Sequence, residues 1–144
     1  MTDMAALTIG RLAELTRSNV PTIRYYEEIG LLPRATRRLG GHRTYGEADL
    51  QRMTFIRRCR DFGFPIEQVR ALVALTERPD RDCVEARDVA QQHLDAVREK
   101  LRELRALEKS LKAFVTSCDA DCAGGPAADC VILEDLSDGN GCCR

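Results

Sequence analysis

Seven cysteines carry the chemistry of this 144-residue chain: Cys59, Cys83, Cys118, Cys122, Cys130, Cys142 and Cys143. An odd number fits poorly with a framework of paired disulfides. The start of the chain lacks a basic-then-apolar leader pattern, so a cytoplasmic protein is expected, where thiols serve as ligands or redox groups. Cys83 and Cys118 lie 35 positions apart, at the two ends of a stretch with neither Pro nor Gly. Both stand in polar, acidic surroundings, which reads as ligation of a thiophilic cation. A helix start at Cys83, with Arg81 and Arg87 beside it, favours its thiolate. Cys59 is different: it falls at helical spacing among apolar residues, without ligand neighbours, and reads as packing.

The stretch between Cys83 and Cys118 must position those thiols. Ala90, Leu94, Val97, Leu101, Leu104, Leu111 and Val115 recur in steps of three and four, a seam of period near 3.5. Such a rod is about 50 Å long at about 1.5 Å per residue. One stripe on a long rod needs a partner helix. If the partner is a second copy running antiparallel, Cys83 of one chain arrives near Cys118 of the other, and a thiolate site forms only in the homodimer. Beyond Cys118, Gly124, Gly125 and Pro126 make a compact loop that folds its ends together. Val131 to Leu136 then reads as a short amphipathic helix docking that loop.

The first half has other business. Residues 1–75 hold 12 Lys and Arg against 8 Asp and Glu, whereas residues 76–144 hold 10 against 15. The basic half can face phosphates and the acidic half can attract cations. Thr8 caps a short helix from Ile9 to Leu15, and Ser18 or Asn19 caps a second, with Pro21 in its first turn and Gly30 at its end. Two short helices across a tight turn suggest a helix-turn-helix, with Thr22, Arg24 and Tyr25 facing a DNA groove. Arg34 to Tyr45 follows with four Arg and no acid. Gly40-Gly41 signals a hairpin there, so Arg37, Arg38, Arg43 and Tyr45 read as a wing placed on DNA phosphates. Helices from Glu47 to about Phe62 and from Pro65 onward come next, separated by Gly63. Asp80 or Asp82 can cap the long rod. No run of about 18 apolar residues is present, so no membrane span is expected.

Leu7-Thr-Ile-Gly-Arg-Leu-Ala, Val20-Pro-Thr-Ile-Arg24-Tyr25-Tyr26-Glu-Glu-Ile-Gly30-Leu-Leu-Pro, Arg43-Thr-Tyr45 and Phe64-Pro-Ile-Glu-Gln-Val-Arg70 resemble the MerR family of metal-responsive transcription regulators. The likeness runs from about Leu7 to Leu136. It implies a mainly α fold: a winged helix-turn-helix over residues 1–46 (helices 8–16 and 19–29, wing 34–45) and a two-helix linker over 47–79. An antiparallel coiled-coil dimerisation helix over 80–117, a metal-binding loop and short helix over 118–136 and a cysteine-bearing tail over 137–144 would follow. It also implies a homodimer on double-stranded, palindromic promoter DNA. Metal binding would distort an over-long spacer so that RNA polymerase engages, an indirect mechanical readout.

Carried over by position, Cys118 and Cys130 match the paired loop ligands, and Cys83 matches the ligand supplied by the other subunit. Three thiolates suit Zn(II), Cd(II), Pb(II) or Hg(II) as effector. Two departures stand out. The loop is longer than in mercury-type members, and Cys122 lies inside it as a candidate fourth ligand. Cys142 and Cys143 in the Gly-rich tail are candidate accessory ligands. His42 and His93 are not expected to ligate. A redox or iron–sulfur sensor on the same scaffold is one alternative, although the spacings of 4 and 8 among Cys118, Cys122 and Cys130 differ from a cluster motif. A copper(I)-type sensor is another, although such sensors resemble this chain less, having a non-thiol residue where Cys83 stands. No constellation of residues suggests an enzyme.

Overall fold

The computed structural model describes residues 6–37, 43–122 and 124–138, with the backbone alone at positions 36, 37 and 43. Among the described residues the elements are α1 (Ile9–Leu15), α2 (Val20–Glu28), β1 (Thr36–Arg37), β2 (Arg43–Thr44), α3 (Glu47–Asp61), α4 (Ile66–Thr76), α5 (Val84–Asp121) and α6 (Val131–Ser137). A short 3-10 turn covers Ala127–Asp129. The chain divides into two compact units, residues 1–91 and 92–144, with the division inside α5.

Local chemistry sets the helix ends of the first unit. Thr8 Oγ1 accepts the Arg11 N–H at 3.1 Å and starts α1. Asn19 Oδ1 accepts the Thr22 N–H at 2.9 Å and starts α2, so Asn19 rather than Ser18 is the cap. Gly30 and Gly63 adopt φ of +79° and +80°, a left-handed conformation that a residue with a Cβ resists. They end α2 and α3 as their positions suggested. Arginines of α3 and α4 then fasten the turn carbonyls. Arg70 Nη2 donates to the Ile29 carbonyl at 2.8 Å, Arg60 Nη1 to the Phe64 carbonyl at 2.8 Å and Arg57 Nη1 to the Arg17 carbonyl.

β1 and β2 pair antiparallel, Thr36 with Thr44 and Arg37 with Arg43. Leu7 and Tyr45 form a bridge beside them, with N–H···O distances of 2.8 and 2.9 Å. The expected Gly40-Gly41 turn, Arg38 and His42 lie outside the described residues. The core of this unit gathers Leu12, Ala13, Ile23, Tyr26, Leu31, Leu32, Tyr45, Met53, Ile56, Cys59, Val69 and Val73 from every helix before α5. Cys59 is a packing residue, as its spacing indicated. Burial pushes its thiol above the usual range.

Tyr45 corrects one expectation. The sequence pattern sets it on a DNA phosphate, yet it is 1% exposed and its hydroxyl donates to the buried Glu27 carboxyl. The bridge to Leu7 fixes its backbone, so its ring turns into the core.

The second unit holds the later part of α5, the loop and α6. No described residue of α5 or α6 is buried. Leu94, Val97, Leu101, Leu104, Leu107, Leu111 and Val115 are all 41–58% exposed. At about 1.5 Å per residue the 38 residues of α5 extend about 57 Å. The rod is longer than expected at its C-terminal end. No helix breaker occurs before Gly124, so α5 runs to Asp121 and holds Cys118 in its last turn. At the other end the helix begins at Val84. Cys83 therefore precedes it, with its carbonyl accepting the Arg87 N–H at 2.9 Å, while Asp82 Oδ1 accepts the Val84 N–H at 3.0 Å. Asp82, not Asp80, is the side-chain cap.

Candidate metal centre and nucleic-acid interface

Three thiols meet in the second unit. Cys118 lies in the last turn of α5 and Cys122 follows one turn later, so both point from the same face. Their sulfurs are 3.6 Å apart. The chain then turns at Gly124, at φ +83°, and passes through the 3-10 turn to Cys130, which is the N-cap of α6. The turn returns Cys130 to the other two: the Sγ atoms of Cys118, Cys122 and Cys130 all lie within 4.8 Å of one another, and all three residues are half-buried.

The three thiols differ in acidity. Backbone N–H groups at the start of α6, Leu133 first and Ile132 after it, donate to the Cys130 sulfur and lower its pKa despite some burial. Cys118 moves the other way. Its hydrogen bond with Cys122 is the largest cause, followed by burial and the charge of the neighbouring thiols, and together they push it up to about 11. Cys130 is thus the more acidic of these two thiols and Cys118 the less acidic. A cavity of about 250 Å³ adjoins the site, lined by Phe114, Ser117, Val131, Glu134, Asp135 and Asp138. Cys83 is exposed ahead of α5. Cys142 and Cys143 lie outside the described residues.

The donor chemistry fits a thiophilic ion. Zinc–sulfur bonds of about 2.3 Å at tetrahedral angles set neighbouring sulfurs about 3.8 Å apart, and the Cys118–Cys122 separation of 3.6 Å is close to that.

The first unit offers a basic surface. Arg24 and Tyr25 are exposed on α2, Tyr25 to 47%, and Thr22 is half-buried with its hydroxyl on Asn19 Oδ1 at 2.7 Å. The backbones of Arg37 and Arg43 pair in the strand register. Sequence reasoning missed Arg17, Arg57 and Arg60, which line a cavity of about 380 Å³ with Ser18, Asn19 and Thr22 at the start of α2. The signal available was weak: two Arg three apart on α3 and one in the interhelical turn.

Similarity to known proteins decides the family. The family described as MerR HTH family regulatory protein matches residues 7–75, and that described as MerR, DNA binding matches residues 50–114. The regulator HmrR of Rhizobium leguminosarum is 42% identical over 135 residues, 92% of this chain and 99% of its own length. The chain belongs to the MerR family. A probable heavy metal-dependent transcriptional regulator of Haemophilus influenzae is 34% identical, over 91% of this chain and 99% of that one. Among solved structures, the transcription regulator PbrR691 from Ralstonia metallidurans, in complex with lead(II), superposes with a TM-score of 0.78 at 39% identity, covering 90% of this chain and 98% of that one. The mainly α architecture, a helix-turn-helix domain followed by a long helix, is therefore the MerR fold. MerR proteins are DNA-binding transcription regulators rather than enzymes. No helix among the described residues is long and apolar enough to cross a membrane.

Proposed function

We propose that this MerR protein is a cytoplasmic, metal-responsive regulator that binds a palindromic promoter as a homodimer. A divalent thiophilic ion, Zn(II), Cd(II), Pb(II) or Hg(II), is the effector, and its binding distorts the promoter so that RNA polymerase can use it. The observation that carries this reading is the gathering of Cys118, Cys122 and Cys130 where a long helix ends. The exposed apolar stripe of α5 supports the dimer, because a second antiparallel copy would cover it. That pairing brings Cys83 of one subunit toward the thiols of the other, with Arg81 and Arg87 beside it to offset thiolate charge. On the DNA side, Arg24, Tyr25 and Thr22 face the groove, and Arg37, Arg38 and Arg43 of the wing meet phosphates. A Lewis-acidic ion held by these thiols supplies rigidity between the subunits; the chain's own task is to place the sulfurs.

The test is promoter output in response to each metal salt, with wild type, Cys83→Ser and Cys122→Ser side by side. Cys83→Ser is expected to abolish induction while operator binding survives. Full induction by that variant would overturn the shared site. Cys122→Ser is expected to change the ranking of the metals, and an unaltered ranking would remove Cys122 from the ligands.

A further inference from the structure

The divalent reading needs a sulfur from a second subunit, yet three thiols already converge within one chain. We propose that Cys118, Cys122 and Cys130 of a single protomer form a complete receptor for trivalent arsenic, taken up as arsenous acid, without Cys83. The proposal rests on the reading of these thiols as an inorganic-ion site and names a further guest for it.

Two observations support it. The first is number and closeness: three sulfurs lie within 4.8 Å of one another, two of them 3.6 Å apart, on a helix end and a loop of the same unit. Trivalent arsenic forms three bonds to sulfur and keeps its remaining position for a lone pair, so it needs no fourth ligand. The second is charge. Asp119, Asp121, Asp129, Glu134, Asp135 and Asp138 surround the thiols in sequence, and no Lys, Arg or His occurs between Lys112 and Asp138. Within a single protomer, without the Arg81 and Arg87 that the dimer reading brings from the other subunit, three thiolates around a divalent ion leave an unoffset negative charge in this acidic setting, which is unfavourable. Three thiolates around a trivalent centre leave none.

The uptake step balances without an oxidant. As(OH)3 reacts with three Cys–SH groups; three As–O bonds break and three As–S bonds form. The three thiol protons leave with the three hydroxides as water, and arsenic stays trivalent. Neutral thiols are the reacting species overall, so the cluster need not be ionised beforehand.

The experiment uses the full chain, reduced and metal-free, with Cys142→Ser and Cys143→Ser as background so that tail thiols do not compete. Sodium arsenite is titrated while free thiols are counted with a chromogenic disulfide. The background protein is expected to bind one arsenic per chain and to lose three thiols. Adding Cys83→Ser should leave both values unchanged. Adding Cys122→Ser should leave only two thiols protected and weaken binding at least about tenfold, since one arm of the chelate is gone. Helix content by circular dichroism checks that each variant is folded, and Cys130→Ser provides a second variant with the same expectation. Loss of arsenic binding in Cys83→Ser, or three protected thiols and full affinity in Cys122→Ser, would overturn the proposal. Cd(II) titration of the same samples separates the two readings. Arsenite failing where Cd(II) binds defeats this inference alone. Cd(II) failing where arsenite binds defeats the divalent reading alone.

Discussion

The two units of this chain bury their apolar residues to opposite degrees. In residues 1–91, twelve apolar side chains from four helices, the turn after α2 and the residue after β2 close a core, several at 0% exposure. In residues 92–144 none of the described residues is buried, although Leu and Val recur along the helix. The first unit closes a core of its own, although Leu15, Phe62 and Val84 stay exposed. The second carries an exposed apolar seam; in the homodimer proposed above, a second helix covers it and stability becomes tied to protein concentration. On the function proposed above, recognition of DNA rests on a self-contained core and detection of a metal on assembly.

The largest effect that would break this contrast comes from the seam. Leu101→Asp with Leu111→Asp removes two apolar residues from each subunit's stripe, each contributing about 1.5–3 kcal/mol when buried. Dimers are expected to dissociate in light scattering after size exclusion, with the first unit still folded; an intact dimer would show that the stripe is not the interface. Next, Ile56→Ala opens a cavity in the first unit and is expected to cost about 2–5 kcal/mol. Its melting temperature should fall equally at all protein concentrations, whereas Leu104→Ala on the seam should show a fall that deepens on dilution. Equal concentration dependence in both would erase the distinction.

Smaller changes sharpen it. Tyr45→Phe deletes the hydroxyl that donates to buried Glu27 and should cost about 1–3 kcal/mol in stability. Operator affinity of the folded variant should stay within twofold or so of wild type; a large loss would return Tyr45 to the DNA. The smallest effect is kinetic. In metal-free protein at neutral pH, iodoacetamide should alkylate Cys130 before Cys118, because only the thiolate reacts. Cys118, pushed up to about 11, should gain rate by roughly tenfold per pH unit up to that pH. The Cys130 rate, its pKa lowered, should level off earlier. Mass spectrometry of digested samples reads the order.

Helix boundaries in the first unit were legible because their determinants are local. Thr8, Asn19, Pro21, Gly30 and Gly63 each act within a few residues, and the observed α1 and α2 ends agree with them. Tyr45 was not legible, since its partner Glu27 stands 18 positions away and its burial is tertiary. An Arg-Thr-Tyr run after a glycine pair looks like surface until Leu7 pairs with it. The thiol cluster was half legible. The glycines and proline bring Cys118 and Cys130 together, but a rod taken over 80–117 puts Cys122 in the loop. The sequence contains no reason to stop there, and with helix continuing to Asp121 the four-residue step from Cys118 to Cys122 becomes a shared face.

The bridge between Leu7 and Tyr45 joins the beginning of the described chain to the strand that closes the wing, by two backbone hydrogen bonds of 2.8 and 2.9 Å. Anything attached directly ahead of Leu7 is therefore spliced next to the β1–β2 ribbon, which the function proposed above sets on DNA phosphates. Affinity handles belong elsewhere when operator binding is to be measured, and trimming the chain through Leu7 would unfasten the ribbon before it touched any arginine.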